Sequence, residues 1–377
     1  MALIIISLLT LLLTLCYVTV VLFFRRGWNK IPYFTAGAIP PTTKVSILIA
    51  ARNEEDKIGI TINDVLNQDY PPDLFELIVV DDHSTDKTAE IIQSYQDKAV
   101  SLIRLQEDQP LNSYKKKAIT EAIAKAKGEL IITTDADCRM GRKWLSTIVS
   151  FYEKNQWKLI SSPVAYFEEK SEFERLQTLE FLYLIGLGAS SIGNKVPSTC
   201  NGANLAYRKD VFEELKGFQG IDDLASGDDE LFLHKVASKY PHSIGFCKSR
   251  EAIVYTHAKP TLKEFIRQRK RWASKSTRYK NKSVIALGVS IWLFNLSIFL
   301  NFLLGFYQSE YFILAFLSLI FKYVAENLFL LQMARFIHRI KLIGYLPLLT
   351  IIHIFYMIYI GLAGNSGKYV WKDRRVR

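Results

Sequence analysis

The sequence predicts an α/β domain built on a mostly parallel sheet, with hydrophobic helices at both ends of the chain. Short apolar runs recur at residues 45–50 (VSILIA), 77–80 (LIVV), 102–105 and 130–134. Helix-like stretches at 57–68, 85–95 and 115–126 separate them, and apolar strands alternating with helices mean βαβ units whose sheet is covered on both faces. The hydrophobic content, 49% of 377 residues, is densest in residues 2–24 and beyond 284, so the middle reads as a soluble domain between apolar ends.

Residues 2–24 carry no charge and exceed the roughly 18 apolar residues that suffice to cross a bilayer as a helix. A cleaved leader would start with a basic segment and end at small residues, whereas here Arg25, Arg26 and Lys30 follow the apolar run. A permanent anchor is expected. Positive residues favour the cytoplasmic side, so the chain is expected to enter the cell at Arg25, with its middle domain cytoplasmic and the whole integral to the cell membrane. The tail holds three candidate spans, 284–306, 311–332 and 343–362. In the middle one, Lys322 and Glu326 are spaced to pair across one helical turn, and inside a membrane such a pair faces protein or water. The expected role is a structural ion pair. Four spans would leave the basic C-terminus outside, against the charge rule, so one tail segment is expected to be re-entrant or interfacial. The expected organisation is an anchor over 1–30, the α/β domain with interfacial helices over 40–280, and a membrane region over 281–377.

The net charge of +11 does not point to nucleic acid. Lys and Arg cluster beside the apolar segments, at Arg25 and Arg26 and in 267–282, 335–341 and 368–377, where anionic lipid headgroups account for them. Cys16, Cys138, Cys200 and Cys247 are widely spaced, which implies neither disulfides nor zinc.

In such a sheet, ligands bind at the carboxyl ends of the strands. The first run ends in Ala51-Arg52-Asn53-Glu54-Glu55 and the second in Asp81-Asp82-His83-Ser84-Thr85-Asp86. Asp81 and Asp82 are placed to accept hydrogen bonds from a base or ribose, while Ser84 is read as a helix cap. No Gly-rich loop follows the first run, which argues against a dinucleotide fold or a P-loop. The fourth run leads into Asp135-Ala136-Asp137, two carboxylates able to share a hard divalent cation that bridges a diphosphate. Beyond an expected helix over 172–191 and a Gly- and Asn-rich turn at 201–204 comes Ser226-Gly227-Asp228-Asp229-Glu230, opening a helix over 231–238. There the acidic group reads either as an N-cap favoured by the helix dipole or as a base taking a proton from a hydroxyl. Finally Gln268-Arg269-Lys270-Arg271-Trp272 lies on a basic helix over 262–276, fit for a membrane surface or, through an Arg fork and an indole, for a sugar and diphosphate.

Taken in order, VSILIAARNEE, VVDDHSTDKT, TTDADC, SGDDE and QRKRW resemble the landmarks of family 2 glycosyltransferases with the GT-A fold, including their QxxRW signature. The resemblance covers residues 45–272, and the layout of the tail is similar to that of cellulose, chitin and hyaluronan synthases and ceramide glucosyltransferases. It implies an inverting transfer from a nucleotide-sugar, expected to be a UDP-sugar, to a lipid or glycan acceptor, assisted by Mg²⁺ or Mn²⁺. It implies that Asp81 and Asp82 contact the nucleoside, Asp135 and Asp137 the metal-diphosphate, and Asp229 the acceptor as base, with Asp228 and Glu230 the next candidates. Gln268, Arg271 and Trp272 fall on the acceptor or diphosphate side, Lys117 near the donor, and Arg52 and Glu54 are weaker carry-overs. A processive polysaccharide synthase is the alternative, although three tail helices leave little protein to wall a polymer channel. A non-catalytic membrane scaffold would be expected to have lost a carboxylate, and none is missing.

The basic residues after the first span generate a topology prediction. Cysteine labelling or protease protection on intact cells is expected to find the 45–272 domain shielded, and labelling of that domain from outside would overturn the orientation.

Overall fold

The computed structural model describes residues 1–37, 40–96, 99–106, 111, 113–275, 279, 282–363, 369–371 and 374–376. In chain order, α1 (Ala2–Lys30) precedes β1 (Val45–Ala51), α2 (Ile58–Leu66), β2 (Phe75–Asp81), α3 (Thr88–Gln93), β3 (Val100–Arg104), α4 (Tyr114–Lys125) and β4 (Leu130–Asp135). Then come β5 (Arg139–Met140), α5 (Trp144–Asn155), β6 (Leu159–Ser161), β7 (Val164–Tyr166), α6 (Glu172–Gly193), β8 (Leu205–Arg208) and α7 (Lys209–Glu214). The rest is α8 (Glu230–Lys239), β9 (Ile244–Phe246), β10 (Val254–Thr256), α9 (Leu262–Ser274), α10 (Lys282–Leu304), α11 (Glu310–Phe336), α12 (Leu346–Ala363) and a short hairpin of Tyr369–Trp371 with Arg374–Val376. The chain divides into two compact units that interleave in sequence, residues 30–168, 191–258 and 368–377 in one and 1–29, 169–190 and 259–367 in the other.

The first unit is organised by a seven-stranded sheet in the order β3-β2-β1-β4-β8-β6-β9. The expected mostly parallel arrangement holds: β1, β2, β3 and β4 run parallel, and β8 is antiparallel to both β4 and β6. The four parallel strands are the four apolar runs of the sequence, and Ile47, Leu77, Val79, Leu130, Ile131 and Ile132 are wholly inaccessible, as burial on both faces of a parallel sheet requires. Register then sets the site. Ala51 pairs with Asp81 and Ala50 with Asp135, so the acidic ends of β2 and β4 flank the end of β1 at one level. A second sheet, β5-β10-β7, lies after the first four strands in sequence.

Two elements differ from expectation for a local reason. The helix expected over 85–95 begins only at Thr88, because Thr85 N–H donates to Asn53 Oδ1 and Asp86 Oδ1 accepts from the N–H of Thr88 (3.0 Å), which holds 84–87 as a loop. The last tail helix begins at Leu346 and not at 343, since Ile340–Tyr345 forms a tighter 3-10 turn before Pro347 enters the first turn, where a missing N–H is harmless.

The helical unit contains α1, most of α6, and α9 to α12. Among the described residues, four helical stretches are long and apolar enough to cross a membrane: Leu3–Lys30, Lys282–Leu304, Glu310–Phe336 and Ile340–Ala363. Lys322 and Glu326 do pair, and both are buried. Tyr17 Oη donates to Glu326 Oε1 and Thr350 Oγ1 to Glu326 Oε2 (3.1 Å), so one carboxylate ties α1, α11 and α12. On α9, Arg269 is 2% exposed and forms a two-pronged ion pair with Glu180 of α6, with its guanidinium 4.5 Å over the Phe265 ring and 4.3 Å over Trp272. Its Nη1 also donates to Gln268 Oε1.

Gly128 marks a close approach ahead of β4: a Cβ there would lie 2.4 Å from Ser46 N and 2.5 Å from Val45 C, both backbone atoms of β1. Gly128→Ala is expected to lose roughly 1–3 kcal/mol of stability, the usual range for overpacking. Thermal unfolding checks it, and an unchanged midpoint would contradict this contact.

Candidate functional site

Two loops at the ends of β1 and β2 are zipped together. Arg52 Nη1 donates to the carbonyls of Asp82 and His83 at 2.8 Å each, Asn53 N–H donates to Ser84 Oγ, and Glu54 N–H to Thr88 Oγ1. Asn53 (φ 50°) and His83 (φ 53°) both turn through the left-handed region, so these hydrogen bonds hold backbone that would otherwise relax. Asp86 completes the zip by accepting from the N–H of Glu55 (3.1 Å). Burial opposes its charge, yet the hydroxyl and backbone N–H of Thr88 and the N–H of Glu55 keep its carboxyl below the usual range. Arg52 and Glu54, carried over as donor contacts, are thus seen bracing the loop that presents Asp82. Ser84, expected as a helix cap, instead receives the N–H of Asn53 through its hydroxyl.

Asp81 and Asp82 are 5% and 2% exposed. Asp82 Oδ1 lies 3.0 Å from His83 Nδ1, and Asp81 Oδ2 receives the Ser84 N–H at 3.4 Å. Asp81 Oδ1 is buried without a hydrogen-bond partner among the described residues, although a buried acceptor normally has one. That oxygen suits a donor such as the N–H of a base.

The Asp135–Cys138 turn is anchored from α2, where Thr61 Oγ1 lies 2.9 and 2.8 Å from the carbonyl oxygens of Ala136 and Cys138. Carboxylate oxygens of Asp135 and Asp137 and the Cys138 sulfur lie within 4.8 Å of one another. Burial pushes the Cys138 thiol well above its ordinary value, and a neutral sulfur is a poor partner for a hard cation. The usable donors are therefore two carboxylates, which fits Mg²⁺ or Mn²⁺, ions that take one or two carboxylates and fill the remaining positions with water and phosphate oxygens.

Lys115 of α4 reaches this turn. Its Nζ lies 2.8 Å from Asp135 Oδ1 and 3.3 Å from Asp228 Oδ2, so one ammonium spans two acidic segments far apart in sequence. Burial alone would lower its pKa, but Asp135, Asp228 and Asp229 outweigh that and hold it above the ordinary lysine value. Lys117, the residue carried over as donor-binding, pairs with Glu121 at 2.8 Å, one turn along the same helix. Successive residues on a helix point about 100° apart, so three adjacent lysines cannot share one face. The run KKK announced a cation here, and only the phase of α4 says which lysine faces the carboxylates.

Asp229 caps α8. Its Oδ1 accepts from the Glu230 N–H (2.6 Å) and its Oδ2 from the Gly202 N–H (3.1 Å). Gly202 is held in turn, because Thr133 Oγ1 of β4 donates to its carbonyl at 2.9 Å. A Cβ at Gly202 would sit 3.3 Å from Asp228 Oδ2 and 3.4 Å from Asp229 Cβ, tight against both carboxylates. The turn at 201–204 is also fixed by Asn204, fully buried, which receives the Trp144 Nε1–H and donates to the carbonyls of Pro163 and Ala252. Neither Gly202 nor Lys115 stood out in the sequence beyond the composition of its segment. Glu230, buried, accepts from Thr199 Oγ1 at 2.6 Å and reads as structural. Gln268, Arg271 and Trp272 lie on α9 in the helical unit, where Trp272 packs against Arg269 and Phe181.

Residues 46–216 match the family model described as Glycosyl transferase family 2. The chain is 30% identical over 240 residues to "Probable glycosyltransferase YdaM" of Bacillus subtilis, an alignment covering 61% of this chain and 54% of that one. It is 30% identical over 112 residues to "Beta-monoglucosyldiacylglycerol synthase" of Synechocystis sp., covering 30% of this chain and 23% of that one. The chain thus spans about half the length of the first relative and less of the second. Among solved structures, mannosyltransferase PcManGT from Pyrobaculum calidifontis, in complex with GDP-Man and Mn²⁺, matches with a TM-score of 0.55 at 18% identity over 93% of this chain and 99% of that one. That likeness shows the fold, the GT-A-like α/β arrangement.

The donor set generates a metal prediction. With a nucleoside diphosphate present, Asp137→Asn is expected to weaken Mn²⁺ binding at least tenfold, about 1.4 kcal/mol, as followed by the electron-paramagnetic signal of free Mn²⁺. Unchanged binding would remove Asp137 from the ligand set.

Proposed function

We propose, from the match of residues 46–216 to the Glycosyl transferase family 2 model, that this chain is a membrane-bound enzyme moving a sugar from a nucleoside-diphosphate sugar to a hydroxyl of a lipid or glycan acceptor. The observation that carries this reading is Lys115, whose ammonium brings Asp135 and Asp228 within reach of one cation. A donor-side and an acceptor-side carboxylate that close define one reaction centre.

Asp81 and Asp82, at the end of β2, accept hydrogen bonds from the nucleoside; the partnerless Asp81 Oδ1 supports this. Asp135 and Asp137 would hold a divalent ion, which when bound supplies charge stabilisation for the leaving diphosphate. Lys115 adds a fixed positive charge there, already oriented before any reaction begins. Asp229 takes the proton from the acceptor hydroxyl while the acceptor oxygen forms its bond to the anomeric carbon. The bond from that carbon to the diphosphate oxygen breaks on the opposite face, inverting the centre. Two backbone N–H groups, of Gly202 and Glu230, orient the Asp229 carboxylate. The acceptor as lipid or glycan is supported by the long apolar helices, which keep the enzyme where such acceptors lie.

Asp229→Asn keeps the shape of the side chain and removes the base. It is expected to bind nucleotide-sugar as before while transfer falls by a factor of roughly 10²–10⁴. Asp82→Ala is expected instead to weaken nucleotide binding. Normal transfer by the Asp229→Asn enzyme would move the base elsewhere, Asp228 first.

A further inference from the structure

We propose that Lys116 is a positioning residue, one that fixes the segment delivering Asp228 and Asp229 to the reaction centre. The proposal rests on the reading of Asp229 as the base. The Lys116 side chain is 2% exposed, and its Nζ donates to three backbone carbonyls, those of Ile221 (2.6 Å), Leu224 (2.7 Å) and Ser226 (2.9 Å). An ammonium has three N–H groups and no acceptor, so these three oxygens use its whole capacity.

The segment needs such a clasp. Residues 221–227 form neither helix nor strand. Glycines with left-handed backbone bound them, Gly220 at φ 83° and Gly227 at φ 84°, positions that swivel readily without a Cβ. Asp228 and Asp229 follow the second glycine directly, so a shift of the segment moves both carboxylates. A misplacement near 1 Å can reduce a reaction rate by about two orders of magnitude. The clasp and the contact to Asp228 come from adjacent residues of α4, Lys116 gripping the backbone and Lys115 the side chain. One rigid helix therefore sets the acceptor-side carboxylates against Asp135. Burial pushes the Lys116 ammonium down to about 8, which still leaves it charged at neutral pH with all three donors in use.

A second lysine provides the comparison. Lys235 of α8 donates to the carbonyls of Gly217 (2.6 Å) and Gln219 (3.1 Å), in the same loop but outside the stretch between the two glycines.

The experiment measures donor KM, kcat and nucleoside-diphosphate binding for the full chain in vesicles. Lys116→Met keeps the apolar stem and removes the ammonium. It is expected to lower kcat at least tenfold, equivalent to about 1.4 kcal/mol of transition-state stabilisation, with nucleotide binding and donor KM within about twofold of wild type. Lys116→Arg, which keeps charge and donors, is expected to recover part of that loss, and Lys235→Met to stay within about twofold throughout. Normal kcat in Lys116→Met, an equal fall in Lys235→Met, or nucleotide binding lost in step with transfer would each overturn the proposal. If Lys116→Met shows no unfolding transition, Lys116→Gln, with two donors, is held to the same criteria. Asp229→Asn separates the two claims: its normal transfer defeats the reading of the base, whereas an inactive Asp229→Asn beside an active Lys116→Met defeats the positioning role alone.

Discussion

Carboxylates gathered at the mouth of a parallel sheet repel one another, and the protein offsets that repulsion with a partly buried ammonium. Near a protein surface, two unit charges 4 Å apart interact by about 4 kcal/mol, enough to decide whether Asp135 and Asp228 can stand together. Lys115 sits within 3.3 Å of both. The surrounding structure serves that placement. The register of β1 against β2 and β4 levels the strand ends, Thr61 fixes the turn after β4, and Thr133 holds the carbonyl of the same Gly202 whose N–H meets Asp229. Each contact is short-range, yet together they make one acidic cluster out of segments more than ninety residues apart in sequence.

Much of the α/β unit was legible in the sequence because burial on both faces writes itself as β-branched runs, and 45–50, 77–80 and 130–134 have no other economical reading. Strand order was less so: β8, β6 and β9 are three or four residues each, too short for a pattern, and they extend the sheet by antiparallel as well as parallel pairing. At the site, residue types were visible and orientations were not. The acidic pairs announced themselves at strand ends. Arg52 reads in sequence like a ligand contact, and the fold adds two backbone carbonyls that its guanidinium braces, a role the sequence does not spell. Gly202 carries no side chain to notice, and its importance lies in the space it leaves beside Asp228 and Asp229.

In the helical unit, charges are similarly matched before they are buried. Glu326 is met by Lys322 from its own helix and by hydroxyls from α1 and α12, so the acidic group that would be most costly in an apolar bundle instead joins three helices. Arg269 follows the same rule with Glu180. The pair is covered by Phe265 and Trp272, and it orders the first residue of the QRKRW segment through Gln268 Oε1. Arg269, between the signature positions, is the member of that segment on which its packing turns.

The three consecutive lysines of α4 meet three unlike environments: acidic side chains at Lys115, backbone carbonyls at Lys116, a surface glutamate at Lys117. Chemically the run is its own alias. A pairwise alignment can slide through it by one or two places and score the same, while each step rotates the assignment by about 100° around the helix. Deleting a single lysine would leave the composition nearly untouched and move every role downstream onto the wrong face of α4. Across such homopolymeric stretches, equivalence between relatives is a question of helical phase, which the spelling of the sequence does not record.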